Sequence, residues 1–132
     1  MKPQRNERGA VAVEMAIVLP ILILLVFGII EFSIAFNHKQ GLHAAAREGA
    51  RFGALPQNSQ DEIIDRVEDA LDGVADPDDV TITVTPNIAH PCDLQAPDAR
   101  VKVTVSMPYQ ANVPLADLAP VTLTGSGEFR CE

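Results

Sequence analysis

Glu14 stands inside an otherwise apolar run, five residues after a Gly9–Ala10 junction that follows the bases Lys2, Arg5 and Arg8. An ionisable group in such a run costs roughly 2.5–3.5 kcal/mol at mid-helix, so its presence calls for a reason. The two cysteines, Cys92 and Cys131, are the next candidates. An even pair in a small domain suits a disulfide in an oxidising compartment, with a pair of buried free thiols as the alternative. His38, His43 and His90 have no metal-ligand spacing. Asp72, Asp76, Asp78 and Asp79 lack the loop pattern and distant glutamate of a calcium site, and turn or strand-cap roles explain them better. There is no Gly-rich phosphate loop, nucleophile motif or basic aromatic patch. The reading is therefore of a structural protein and not an enzyme, with no catalytic residue, metal, cofactor or small-molecule substrate.

The element that must hold Glu14 runs from Ala10 to Phe36, about 27 residues that as a helix would span roughly 40 Å, enough for a bilayer core of ~30 Å. Three residues interrupt it: Glu14 near one end, Pro20 in the first half and Glu31 near the other end. The stretch between the two acids is uncharged, so both carboxylates can lie toward the two interfaces. Pro20 removes one helical hydrogen bond, which membrane helices tolerate. A cleaved signal peptide ending at Ala44-Ala45-Ala46 is the rival, but its apolar core would be too long and its cleavage site too distant. Counting bases leaves orientation tied, since Lys39, Arg47 and Arg51 balance Lys2, Arg5 and Arg8. The closer approach of the near-side bases to the membrane and the far-side cysteines break the tie, with the N-terminus cytoplasmic.

Residues 37–54 contain no proline and are alanine-rich, so the helix is expected to project beyond the membrane. Gly41, Ala45, Gly49 and Gly53 recur every fourth residue and form a ridge of small side chains. Such a ridge admits a closely packed helix, either another subunit's or an element of this chain's own domain. Leu55-Pro56 reads as the break, leaving residues 55–132 as a small domain.

Within that domain Ser59 and Glu62 match a capping box, and Ile63, Ile64, Val67, Ala70 and Leu71 form one apolar stripe, with Gly73 as the stop. The period then changes to two. Val80, Ile82 and Val84 form one inward face, Val101, Val103, Val105 and Met107 a second, and Val121, Leu123, Gly125, Gly127 and Phe129 a third. The expected fold is α+β: a long N-terminal transmembrane helix, then a small extracytoplasmic domain of one helix on a three-stranded antiparallel sheet. Cys131 shares the inward parity of Phe129. A bridge to Cys92 would close a loop of about 40 residues and stabilise the fold by roughly 4 kcal/mol. The 18 acids against 10 bases leave a net charge of −8, which argues against a nucleic-acid partner, since phosphate binding needs a basic surface.

The run RGAVAVEMAIVLPILILLVFGIIEF, Arg8 to Phe32, followed by AAREGAR, Ala45 to Arg51, resembles the TadE-like family of tight-adherence pilus proteins. These are similar to minor pilins or pseudopilins of the Flp branch of the type IV pilus superfamily, and the resemblance covers about residues 8–53. It implies that residues 1–9 are a basic leader removed by a prepilin peptidase after Gly9, leaving Ala10 as the mature N-terminus. Glu14 would then pair with a neighbouring subunit's new α-amine and set subunit register. Implied partners are the membrane, the peptidase, other pilins or pseudopilins and the Tad assembly machinery. The implied location is the bacterial cytoplasmic membrane, with possible entry into a surface pilus serving secretion or adhesion. Met15 stands where the family commonly has an aromatic, and with the sizeable outer domain this favours a minor component. An unprocessed single-pass anchor displaying an interaction module is the alternative, and a secreted enzyme released near Glu48 is a third reading.

Overall fold

The computed structural model describes residues 7–93, 98–114 and 117–132. Most of the basic leader, Lys2 and Arg5 included, lies outside them. The first element, α1 (Glu7–Gly53), is a single helix of 47 residues that continues through Pro20, a length of about 70 Å. It stops where Leu55-Pro56 forbids another turn. Asn58, itself buried, donates from Nδ2 to the Phe52 carbonyl at 2.6 Å and satisfies one of the last-turn acceptors.

Helix α2 (Gln60–Ala70) begins with the expected capping box: Ser59 Oγ accepts from the Glu62 amide, and the Glu62 carboxylate accepts from the Ser59 amide at 2.8 Å. Those hydrogen bonds to the charged form hold the Glu62 carboxyl below its ordinary range. The helix ends at Ala70 with Leu71 as C-cap, shortly before the expected stop at Gly73, which takes φ +74°. A single 3-10 turn over Pro77–Asp79 follows, where Asp76 accepts from the Asp78 amide. Asp76 thus takes the turn-capping role expected of it.

Three strands complete the chain: β1 (Thr81–Thr85), β2 (Arg100–Tyr109) and β3 (Val121–Arg130). They form an antiparallel sheet in the order β1-β2-β3, with Val84 opposite Val103 and Val105 opposite Gly125. Val101, Val103 and Val105 are fully buried and meet Ile63, Val67 and Leu71 of α2 and Leu42, Ala45, Ala46 and Ala50 of α1 in one core. Cys92 and Cys131 are joined by a disulfide with Cα atoms 5.4 Å apart, tying the β1–β2 loop to the end of β3.

The expected architecture of one helix on the sheet is incomplete in one respect. The distal half of α1 does not merely project; it lies on β2 and β3 with α2 packed at its side. The cause is in β3. A Cβ on Gly127 would come 2.6 Å from the Ala46 carbonyl oxygen, and one on Gly125 would collide with the backbone at Leu42 and His43. Two glycines on the inward face thus let the α1 backbone sit directly against the strand. The inward alternation fades at the ends of β3, where Val121 and Phe129 remain exposed.

Candidate functional site

The surface of α1 divides the chain into two regions. From Val11 to Ile30 the large apolar side chains are exposed, a continuous lipid-compatible surface about 30 Å long. α1 is the one helix among the described residues that is long and apolar enough to cross a membrane. Glu14 projects from this exposed region with no ion-pair partner among the described residues. Gly9 and Ala10 lie in the first turns of α1, where helix ends fray. Nothing approaches within 4 Å of a Cβ built on Gly9, so packing does not require a glycine there.

From Glu31 onward one side of α1 turns inward. Glu31, Ala35, His38 and Leu42, spaced four, three and four residues apart, pass from half-buried to fully buried. The ridge residues continue this contact. Gly41 abuts the Val74 side chain, Gly49 abuts Val67, and a Cβ on Gly53 would lie 2.6 Å from Ile63 Cδ1. Ala45 is wholly buried between them. In this chain the ridge is occupied by its own α2 and the turn that follows.

At the proximal end, Tyr109 at the end of β2 donates its hydroxyl to the Glu31 carboxylate at 2.8 Å. Burial first, and that hydrogen bond second, push the Tyr109 phenol above its ordinary value. The His38 ring lies 5.9 Å from the Tyr109 ring, with its Nδ1 buried and unpaired. Farther along, the Ser126 amide donates to His43 Nδ1 at 3.2 Å. Glu48 accepts from both Arg51 and Arg66, linking α1 to α2, and those bonds lower its pKa. No three His, Cys, Asp or Glu side chains converge as a metal-holding group among the described residues.

The family model described as TadE-like protein matches residues 9–51. Over its long helix, the chain is similar to the TadE-like family. The family comprises structural, minor-pilin-like components associated with the tight-adherence pilus. No curated protein and no solved structure matches the chain.

The TadE-like match begins at the Gly9–Ala10 junction and ends two residues before α1 does. It covers both the exposed apolar surface and the inward stripe, and it leaves out α2 and the sheet. The sequence reading assigns no packing role to four positions that organise this helix against its domain: Tyr109, Asn58, and Gly125 and Gly127, which it places on the inward face of the third strand without a reason for their being glycine. For the glycines a signal existed, because two glycines at alternate positions on an inward strand face mark a close backbone approach. For Tyr109 the only signal was its being the single tyrosine.

Proposed function

We propose that this protein is a minor pilin or pseudopilin of a tight-adherence, Flp-type pilus or related secretion filament, anchored in the bacterial cytoplasmic membrane with its domain outside. A prepilin peptidase cleaves after Gly9, and Glu14 of the mature chain pairs with the new α-amine of a neighbouring subunit, fixing register between helices. The observation that carries this reading is the TadE-like match, whose first residue is Gly9 and whose helix exposes Glu14 in an apolar surface. The physical argument supports it. A lone carboxylate in lipid is costly, and an intersubunit amine converts it to a paired charge. A glycine in a helix is disfavoured by about 1 kcal/mol against alanine, and at Gly9 no packing contact explains it.

Mass spectrometry of the chain from cells with an active prepilin peptidase tests the processing step. The expected N-terminus is Ala10, and a chain still beginning before Gly9 would refute it. Glu14→Ala is expected to insert in the membrane normally while impairing assembly with other pilins and the Tad machinery; normal pilus formation would remove the role given to the acid. The unbroken helix through Gly9–Ala10 also suits an unprocessed single-pass interaction module. That reading predicts an intact leader and no effect of replacing Gly9.

A further inference from the structure

The exposed apolar surface of α1 continues to Phe36, whereas the domain already touches α1 at Glu31 through Tyr109. Phe32 and Phe36 are both exposed, with their rings stacked at 6.2 Å. The two regions therefore overlap from Glu31 to Phe36, a rise of about 7.5 Å along the helix. If lipid covers Phe36, the membrane-proximal tip of the domain sits at or below the headgroup level.

That tip is the connection between β2 and β3. Strand β2 runs toward the membrane, since its start lies beside the distal end of α1 and its last residue, Tyr109, meets Glu31. The chain leaves Tyr109 in the direction of the bilayer and returns at Val121, which pairs with Tyr109 across the hairpin. Composition changes at the same place. Between Tyr109 and Val121 the sequence QANVPLADLAP has one charged residue, Asp117, in a protein of net charge −8. The acids of α2 are held far away, because Ile63 and Val67 pack against Gly53 and Gly49. Leu118 and Val121 are 46% and 54% exposed, which is costly in water and favourable in an interface. The Gln110 side-chain amide donates to the Leu118 carbonyl and holds the loop's two limbs together. Tyr109, apolar in body with a polar tip, is the kind of residue that populates the headgroup belt.

We infer that the returning limb of the β2–β3 connection, Asp117 to Val121, is a second membrane contact, with Leu118 and Val121 inserted among the lipids of the leaflet facing the domain. Asp117 keeps its charge in the headgroup water. The loop and α1 then grip the bilayer at two points, which restricts rocking of the domain about the helix. This rests on the reading of α1 as a membrane span, and the experiment separates the two.

The chain contains no tryptophan, so Leu118→Trp, Phe27→Trp and Arg130→Trp each supply one reporter in the full chain. Each is reconstituted at low protein-to-lipid ratio in vesicles of phosphatidylcholine and phosphatidylglycerol, with and without phosphatidylcholine brominated either near the top of one acyl chain or midway along it. At a depth of ~5–10 Å the Leu118→Trp reporter should be blue-shifted and quenched by the shallow bromine, Phe27→Trp should be quenched by the deeper one, and Arg130→Trp should be unchanged by either. Quenching of Phe27→Trp with Leu118→Trp behaving like Arg130→Trp overturns the inference and leaves the anchor intact. A blue shift at Leu118→Trp without quenching means that protein, a second copy included, covers the loop, and also overturns it. Failure to quench Phe27→Trp refutes the membrane span itself. Val121→Trp repeats the measurement if Leu118→Trp disturbs folding.

Discussion

The substitution Gly127→Ala tests how α1 is held on the sheet. In a strand, replacing glycine by alanine ordinarily stabilises by about 0.5–1 kcal/mol, because the unfolded chain loses freedom. At Gly127 the added Cβ would lie 2.6 Å from the Ala46 carbonyl oxygen and equally close to Arg47 Cα, whereas ordinary contact begins at 3.4 Å. The helix must retreat by about 0.8 Å, and a gap of that size forfeits a quarter to a half of the dispersion attraction across the contact. Overpacking of this kind typically costs about 1–3 kcal/mol; with backbone as the obstacle the upper end applies. A loss of about 3 kcal/mol would lower Tm by about 12–24 °C in a domain of this size. The full chain in detergent, titrated with urea, reports the change through Tyr109, its single tyrosine, whose environment depends on docking against α1. Gly49→Ala is the informative partner. Its obstacle is the Val67 side chain, so Val67→Ala should recover part of the loss, while no side-chain truncation on α1 should rescue Gly127→Ala. A Gly127→Ala protein as stable as the parent, or more stable, would refute direct backbone packing of α1 on β3.

Removing the bridge with Cys92→Ser and Cys131→Ser together should destabilise the domain by about 4 kcal/mol, given the sequence separation of 39; an unchanged urea midpoint and unchanged gel mobility of the parent on reduction would contradict this. Tyr109→Phe should loosen the proximal end of β2 and increase amide exchange there. Because the folded Tyr109 pKa is raised above its ordinary 10.0, its contribution is complete below about pH 10 and lost as pH rises through the folded value, so the parent should weaken in alkali more than Tyr109→Phe. The Glu48 carboxyl is lowered from 4.5 by its bonds to Arg51 and Arg66, so its contribution is present above that value and lost as pH falls through the folded one. The link is exposed, and Arg66→Ala should cost no more than about 1 kcal/mol at neutral pH.

Elements whose cause is local were legible. The stop of α1 follows from Leu55-Pro56, the start of α2 from Ser59 and Glu62, and the buried face of β2 from the alternation of Val101, Val103 and Val105. Contacts closed over long separations were not. Glu31 and Tyr109 are 78 residues apart, and nothing in either neighbourhood singles out the other. Gly125 and Gly127 fall on the inward strand face by their spacing alone, with nothing local to say what lies against that face where side chains are missing. The helix backbone that fills the space is visible only once α1 and β3 are placed together. The same holds at the proposed functional end. Glu14 was conspicuous because its cost is local, whereas the level at which the domain meets the membrane depends on the register of β2 against α1.

That register bears on where a neighbouring subunit can bind. The ridge of Gly41, Ala45, Gly49 and Gly53 has the spacing of a helix-pairing motif, yet Val74, Val67 and Ile63 fill it within the chain. A second helix could enter there only by displacing α2 and opening the core built on Ile63, Val67 and Leu71. Truncating one such side chain alone costs about 2–5 kcal/mol, so intersubunit packing along this ridge is disfavoured. The surface of α1 free on all sides lies before Glu31, where Glu14 and the large apolar residues are exposed. Assembly through the helix should therefore use that proximal half. Substitutions of ridge residues should act through folding and be detected by urea titration of the single chain. Glu14→Ala should leave that titration unchanged and alter only association; a shift in the urea midpoint for Glu14→Ala, or an assembly defect in a ridge variant that folds normally, would reverse this assignment.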